Sequence, residues 1–255
     1  MSWTGGKVGP LATCVLAPNP GIMTLDGTNT WVLRADAGRS VVVDPGPLDE
    51  GHLARVLTTA APVAVVLVTH RHGDHTDGVQ RFAQLAQAPV RAVDPVHRVG
   101  PEGLRDGDEV DVDGLRLQVV ATPGHTDDSV SFLLPEANAL MSGDTVLGTG
   151  TTVVAHPDGL LGAYLASLRR LLALAEAGAI TTVWPGHGPV VDDAVAVLRG
   201  YLAHREARLA QVRDAVATGA TTAREVVERV YADVDPALWG AAEQSVQAQL
   251  AYLRT

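Results

Sequence analysis

The sequence predicts an α/β domain followed by a small all-α subdomain, and three observations support this fold class. Hydrophobic residues make up 46% of the 255 residues and charged residues 19%, a globular composition with enough apolar side chains for a sizeable core. Short β-branched runs alternate with helical segments through the first part of the chain. The later pattern is helical only, so we expect a main domain over residues 1–191 and a helical subdomain over residues 192–255.

The first half of the main domain reads as four strands and two helices. A turn-forming segment, residues 36–39, joins two of the strands into a hairpin. The run at 63–69 is continuously apolar, which is typical of a strand that is buried on both faces. The predicted strands span 12–16, 29–35, 40–43 and 63–69, and the predicted helices span 48–61 and 76–87, the second capped by Thr76 or Asp77.

The second half of the main domain adds six strands and one amphipathic helix. The predicted strands span 90–93, 105–112, 115–121, 130–134, 139–142 and 180–184, and the helix spans 159–177. In the subdomain, helices are predicted over 192–218, over 223–232 with Thr222 as cap, and over 235–254. Main-domain strands therefore alternate with helices, as in α/β enzymes, which place their chemistry at the carboxyl ends of strands.

Charge and cysteine content limit the partners and the compartment. The chain has 19 Lys and Arg against 29 Asp and Glu, a net charge of −10, which disfavours non-specific binding to nucleic acid. A local basic patch or bound cations would still accept one phosphate. The single cysteine, Cys14, excludes an intramolecular disulfide. With no signal-peptide pattern and no long apolar run, we expect a cytoplasmic protein without a membrane span.

Four metal-ligand side chains are concentrated in the loop that follows the buried strand at 63–69. They are His70, His72, Asp74 and His75, in the segment Thr-His-Arg-His-Gly-Asp-His. Residues two apart in a loop can point the same way, so His70 and His72 can share one metal. Asp74 and His75 can reach a second. Imidazole nitrogens and carboxylate oxygens are the donors that zinc prefers, and so the segment predicts a metal site.

Three more candidate ligands each follow a later strand. His125 lies in Thr-Pro-Gly-His-Thr-Asp, Asp144 follows Ser-Gly, and His187 lies in Pro-Gly-His-Gly-Pro. The signals of His125 and Asp144 are weak alone, since a loop histidine or a turn aspartate is common, whereas the tight loop of Gly and Pro around His187 suits a ligand better than a solvated side chain. Beside the first cluster, His125 becomes a natural third imidazole. Asp144 then offers the bridging carboxylate that two cations roughly 3.5–4 Å apart require.

Taken together, these motifs resemble the metallo-β-lactamase superfamily over about residues 11–192. The resemblance implies a four-layer αββα sandwich and a hydrolase with two Zn²⁺ ions that activate a water molecule, Fe or Mn being alternatives. It implies that Asp74 also orients or deprotonates that water. The implied ligands are His70, His72 and His125 for the first metal, Asp74, His75 and His187 for the second, and Asp144 as the bridge.

A finer resemblance is to the β-lactamase-like protein 2 branch, which is similar in outline to glyoxalase II. The segments that carry it are 19–21, 25–30, 122–127 and 201–205. The branch includes single-strand endoribonucleases and thioesterases, and many members carry a winged-helix-like module. Residues 192–255 resemble the helical part of that module, and the sequence stops about where a wing would begin.

Four residues outside the ligand set are further candidates for a role at the site. Asp44 either anchors the metal loop from outside or is a turn residue before a proline. Asn29 is a candidate for lining the substrate pocket. His204 and Arg205 either reach over the site mouth, offering positive charge to a substrate anion, or lie on a solvated helix face, the interpretation that the pattern favours.

The predicted function is therefore dinuclear zinc-dependent hydrolysis of a small thioester or ester. The alternative is phosphodiester hydrolysis of single-stranded RNA. Two further alternatives are less favoured: a persulfide dioxygenase with one iron, and a true β-lactamase. Zinc β-lactamases of the best-known subclass have a Cys in the second metal site, whereas this chain has Asp144 and its only cysteine is Cys14.

Overall fold

Two β-sheets with helices on their outer faces form the computed structural model, which describes residues 2–254. The strands are β1 Gly6–Val8, β2 Ala12–Leu16, β3 Asn29–Arg34, β4 Ser40–Val43, β5 Val63–Leu67, β6 Val90–Arg91, β7 Glu109–Val112, β8 Leu115–Ala121, β9 Val130–Leu134, β10 Ala139–Gly143 and β11 Thr182–Pro185. The helices are α1 Glu50–Ala60, α2 Gly73–Thr76, α3 Val79–Ala86, α4 Leu161–Glu176, α5 Ala194–Ala217, α6 Ala223–Val230 and α7 Trp239–Leu253.

The two sheets follow the chain in sequence order. The first has the order β1-β2-β3-β4-β5-β6, antiparallel as far as β4 and parallel from β4 to β6. The second has the order β11-β10-β9-β8-β7, with only the β10–β11 pair parallel. Each parallel connection that leads into β5, β6 or β11 contains a helix, as parallel pairing requires a crossover.

Side-chain alternation along the strands produces four layers. In β4, Val41 and Val43 point into the core between the sheets, whereas Val42 points outward toward α1 and α3. Trp31 and Trp184 stack across the central core, with ring centroids 5.2 Å apart. On the far side of the second sheet, α4 and the first half of α5 cover the outer face. The predicted αββα sandwich is confirmed.

Most predicted elements are found, and the differences have local causes. Instead of one helix over 76–87, the chain makes the short α2 and restarts at Val79, with Gly78 and not Thr76 or Asp77 at the cap. Gly78 approaches the backbone of Gly46 too closely for a side chain, and its N–H donates to the Gly46 carbonyl at 2.9 Å. The strand predicted over 105–112 is only β7, because a turn closed by Asp108 precedes it.

The last three helices build a separate small core. Val212 and Ala215 of α5 pack with Val226 and Val227 of α6 and with Val246 of α7. Within residues 192–254 the structure contains no strand. The first half of α5 packs on the second sheet instead, so this helix is shared between the two regions. The division of the chain at residues 191 and 192 stays a prediction.

The described helices give no candidate for a membrane span. Among residues 2–254, no helix is both long enough and apolar enough to cross a bilayer.

Candidate metal centre

The seven predicted ligands meet at one edge of the sandwich. Each group follows the end of a strand, so the strands fix where the loops begin. The loop after β5 brings four of the ligands, and the loops after β8, β10 and β11 bring one each. The side chains that converge are His70, His72, Asp74, His75, His125, Asp144 and His187.

Three imidazoles form the first group. His72 Nδ1 lies 3.1 Å from His70 Nε2 and 3.0 Å from His125 Nε2. The nearest carboxylate oxygen of Asp144, Oδ2, is 4.0 Å from His70 Nε2 and 3.7 Å from His125 Nε2. The three imidazole nitrogens thus face one another closely enough to share a divalent ion, with an Asp144 oxygen near two of them.

The second group contains Asp74, His75 and His187. Asp74 Oδ2 lies 3.4 Å from His75 Nε2 and 3.2 Å from His187 Nε2. Asp144 also faces this group, with Oδ1 at 3.4 Å from His75 Nε2 and Oδ2 at 3.3 Å from His187 Nε2. The Asp144 carboxylate therefore lies between the two groups, in the position that the sequence resemblance implied for a bridge.

Two atoms of this centre are left without partners in a way that a metal would resolve. His75 Nε2 and Asp144 Oδ1 are buried, and neither makes a hydrogen bond to any residue in the range 2–254. Burying an unpaired polar atom is costly, and such atoms are few in native proteins. The residues present therefore fit divalent ions, with nitrogen and oxygen donors that suit zinc or iron.

Asp44 lies directly behind the second group. Its Oδ2 accepts a hydrogen bond from His75 Nδ1 at 2.8 Å, and its two oxygens accept from the Thr69 N–H and hydroxyl, both at 2.7 Å. Nδ1 is thus the protonated nitrogen of His75, which leaves Nε2 facing the other ligands. The structure places Asp44 where the metal-loop interpretation puts it, and not in an isolated turn.

The other imidazoles are oriented in the same way, through the ring nitrogen that faces away from the centre. The contacts are His70 Nδ1 with Thr69 Oγ1 at 3.0 Å, His125 Nδ1 with the Val153 carbonyl at 2.8 Å, and His187 Nδ1 with the Gly27 carbonyl at 3.1 Å. For His72, the outward Nε2 lies 3.6 Å from Asp158 Oδ2. Each ring therefore presents one fixed nitrogen to the centre.

Thr28 is a site residue that the sequence reasoning missed. Its hydroxyl donates to Asp74 Oδ2 at 3.0 Å, and Asn19 holds it through its side-chain amide at 2.9 Å. The signal was present, because Asn19 and Thr28 both lie in segments that carry the finer resemblance. The carbonyl of Val153 had no such signal, since any residue type supplies a backbone oxygen.

Asn29 does not line the pocket, and that expectation is wrong. Its side chain is fully buried, and its amide donates to the carbonyls of Pro185 and Gly188 at 2.9 and 2.8 Å. Its oxygen accepts from the indole of Trp3 at 2.8 Å. Asn29 therefore braces the loop that carries His187 from behind.

Charges and burial divide the five imidazoles into two classes. Burial, together with neighbouring imidazoles, lowers the pKa of His70 and that of His72, the latter to about 4, and burial also lowers the pKa of His125. Burial alone would lower the pKa of His75 and His187 too. Carboxylates outweigh it: Asp74, then Asp144 and Asp44, raise the pKa of His75, and Asp144 raises that of His187 to about 10.

This division predicts different pH dependence for the two groups. Without metal, His75 and His187 hold protons at neutral pH, and an ion must displace them. Binding at the second group therefore tightens as pH rises, until His187 loses its proton near its pKa of about 10. The first group has neutral imidazoles well above pH 4, so binding there changes little across the neutral range.

Calorimetric titration of the metal-free protein with Zn²⁺, carried out in two buffers of different ionisation enthalpy, measures how many protons each ion releases on binding. The first ion is expected to release few protons and the second to release more. Equal proton release by both ions, or none with the second, would contradict the assignment of charges.

A cavity of about 350 Å³ opens beside His125 and Asp144. Its lining is mostly apolar. One side is the loop that carries the exposed side chains of Ile22 and Met23, and the segment 149–153 contributes another part. The C-terminal helices form the remaining wall, with Val234, Leu238 and Ala241 among its apolar residues.

His204 and Arg205 belong to this wall, so the expectation of a solvated helix face is wrong. Both line the cavity, and Arg205 is buried with 8% of its surface exposed. Burial and the charges of Arg205 and Arg208 lower the pKa of His204, so His204 is neutral at pH 7 and brings no charge. Arg205 is therefore the cation in this part of the cavity wall.

Cys14 lies outside the centre, with its thiol donating to Asn29 Oδ1 at 3.2 Å.

Comparison with known proteins identifies the family. Residues 23–187 match the Metallo-beta-lactamase superfamily, and residues 222–255 match the Beta-lactamase associated winged helix domain. The chain belongs to the metallo-beta-lactamase superfamily, and the prediction of a metal-dependent hydrolase is confirmed at the level of this class.

Two curated relatives span most of the chain. A beta-lactamase-like protein 2 homolog from Caenorhabditis elegans is 34% identical over 240 residues, covering 89% of this chain and 78% of the relative. The atrochrysone carboxyl ACP thioesterase of Aspergillus fumigatus is 32% identical over 242 residues, covering 87% of this chain and 74% of the relative.

Two solved structures show the same fold. A beta-lactamase domain protein from Burkholderia ambifaria superposes with a TM-score of 0.82 at 23% identity, covering 100% of this chain and 89% of that one. A protein solved in a di-iron-bound form gives a TM-score of 0.55 at 28% identity, covering 71% and 96%.

Proposed function

We propose that this protein hydrolyses thioesters by means of two divalent ions, zinc by preference, held by the seven convergent side chains. The observation that carries the proposal is the position of Asp144 between two three-residue groups, in the lining of a largely apolar cavity. When bound, such ions lower the pKa of a coordinated water and polarise the carbonyl under attack. The side chains of the protein would hold these ions and orient the attacking water.

Asp74 is proposed as the catalytic residue that orients the attacking water. Its side chain is 26% exposed, so solvent reaches it, and Thr28 fixes its orientation. Burial would raise the pKa of Asp74, but His75 and His187 together lower it, so the carboxylate is ionised at neutral pH. An ionised carboxylate accepts a hydrogen bond from water and holds it in one direction.

The thioester is proposed on three grounds. The relative from Aspergillus fumigatus is named as a thioesterase acting on an acyl carrier protein. The cavity is lined mainly by apolar side chains, and so it suits an acyl group better than a polar polymer. The net charge of −10 is a third, weaker argument, since it disfavours polyanions in general.

Single-stranded RNA is the competing substrate. It follows from the finer sequence resemblance, and the match of residues 222–255 to a winged helix domain gives it support. A panel of acyl-thioesters tested beside labelled oligoribonucleotides separates the two. We expect thioester turnover without RNA cleavage.

Replacing His72 with Ala is expected to lower thioester turnover by more than about a hundredfold. Mutating a residue that only hydrogen-bonds to a metal ligand already lowers activity by up to about that factor, and His72 is itself a proposed ligand. His97→Ala, a histidine outside the centre, is the matched control and should keep wild-type activity. RNA cleavage that is lost in His72→Ala, with no thioester turnover by the wild type, would overturn the proposal.

Zinc is proposed over iron because the first group has three imidazoles and a carboxylate, the donors found in zinc sites. The solved structure in a di-iron-bound form makes iron the alternative to test. Reconstituting the metal-free protein with either ion and measuring thioester turnover distinguishes them. Turnover of a persulfide that consumes oxygen, with one iron bound per chain, would instead identify a dioxygenase.

A further inference from the structure

Arg205 of α5 is a buried cation without a counter-charge. Of all Lys and Arg side chains in residues 2–254, it alone is buried. Its Nη2 donates to the Thr152 carbonyl and its guanidinium lies 5.1 Å from the centre of the Tyr164 ring, but its Nε is buried without a hydrogen-bond partner. No carboxylate in the described chain lies within ion-pair distance of it; the neighbouring Glu206 pairs with Arg169 instead.

Arg208 lies one turn further along α5 and faces the same cavity. Its Nη1 donates to the Val230 carbonyl at 2.8 Å and to Gln211 Oε1 at 3.0 Å, and its guanidinium lies 4.4 Å from the centre of the Tyr231 ring. It too has no carboxylate within ion-pair distance among the described residues, and its Nε and Nη2 make no hydrogen bond within that range. Two guanidinium groups therefore face one cavity, and each has N–H groups without a hydrogen-bond partner among the described residues.

Guanidinium groups that lie in a cavity wall without a counter-charge destabilise the folded protein unless another group neutralises them. Burying a charge costs several kcal/mol when no partner neutralises it, and a cation–π contact returns only about 0.5–2 kcal/mol. The chain has 29 acidic residues, yet none pairs with these two arginines. The cavity that they line also reaches Asp144 and His125. The missing counter-charge is therefore expected to arrive with the substrate.

We propose that Arg205 and Arg208 form an anion subsite that binds a carboxylate or phosphate group of the substrate while its reacting bond lies at the metal centre. The assignment rests on the proposed thioester hydrolysis and names the substrate class: an acyl thioester that carries a negative charge. Arg208, half-buried and with two free donors, contacts the anion, and the buried Arg205 supplies charge behind it. The anion has two sources, a carboxylate on the acyl side or a phosphate on the thiol side.

Two matched pairs of substrates distinguish these sources. Butyryl- and succinyl-N-acetylcysteamine differ by a carboxylate on the acyl group, and acetyl-pantetheine and acetyl-4′-phosphopantetheine differ by a phosphate on the thiol. In one pair, the anionic member is expected to have a KM lower by about tenfold to a hundredfold, the range for hydrogen bonds to charged groups. Arg208→Gln should abolish that difference by raising the KM of the anionic member more than that of the uncharged member.

Arg213→Gln is the matched control, because Arg213 is an exposed arginine on the same helix. It should keep the preference for the anionic member. No preference in either pair, or an Arg208→Gln variant that raises KM equally for both members, would overturn the subsite.

If no thioester is cleaved, the proposed hydrolysis fails, and calorimetric binding of the same four intact compounds then decides the subsite alone. Binding of the anionic members that weakens in Arg208→Gln but not in Arg213→Gln supports it. Equal binding of charged and uncharged members, or an Arg208 effect confined to oligoribonucleotides, overturns it.

Discussion

Replacing Asp144 with Asn is expected to lower thioester turnover by more than about a hundredfold and to reduce metal content below that of the wild type. Asn has nearly the same shape, so packing around this side chain, which is 12% exposed, is kept. The negative charge between the two groups is lost, and repulsion between two closely spaced cations is then no longer offset. Turnover assays and metal analysis of the same preparation measure both effects.

The matched control is Asp36→Asn, because Asp36 is an exposed aspartate in the turn between β3 and β4. It should leave both quantities unchanged. Without metal, Asp144→Asn should unfold at a lower temperature than the wild type, because protonated His75 and His187 lose the carboxylate that faces them. Full metal content together with full turnover in Asp144→Asn would contradict the role of Asp144 as a shared carboxylate.

Replacing Gly124 with Ala is expected to lower the free energy of unfolding by about 3–5 kcal/mol and to displace His125. Gly124 has φ of +137°, a region that residues with a side chain rarely adopt. A β-carbon there would lie within 3.0 Å of the backbone N and Cα of Tyr164, in the first turn of α4. Because helix backbone cannot yield as a side chain can, the loop itself must move.

Gly114→Ala separates strain from collision. Gly114 also has a positive φ, +87°, but it lies in an open hairpin turn where a β-carbon would contact nothing. This variant should cost only about 1–2 kcal/mol, the penalty of the left-handed conformation. Denaturant unfolding of both metal-free variants gives the comparison. Equal losses would show that the contact with α4 is not what requires glycine at position 124.

The convergence of the seven side chains could be predicted from the sequence because each follows the end of a strand. The strands before the ligands are short runs that are mainly apolar or, in β8, alternate apolar and polar residues, and so their ends could be placed within a residue or two. His125, Asp144 and His187 are adjacent to glycine, which lets these loops turn sharply toward one point. At Gly186, glycine is also needed for space, because a β-carbon there would lie within 3.0 Å of Asp144 Oδ1.

Contacts that depend on tertiary packing were less accessible. The sequence pattern around Asn29 indicates a polar loop residue. Only the approach of the loop after β11 shows that its buried amide donates hydrogen bonds to that loop. Arg205 reads as part of a solvated helix face because arginine is mostly exposed in proteins. Its burial results from the packing of α5 against α4 and against the irregular segment that contains Thr152, and neither contact has a local signal.

The most direct test of the two-ion centre is the stoichiometry of Zn²⁺ binding to the metal-free protein. Calorimetric titration, checked by elemental analysis of the dialysed product, counts the ions. We predict two equivalents per chain, and one equivalent in a His187→Ala variant that keeps the first group intact. Saturation of the wild type at a single equivalent, or no loss of the second ion in His187→Ala, would contradict the centre described here.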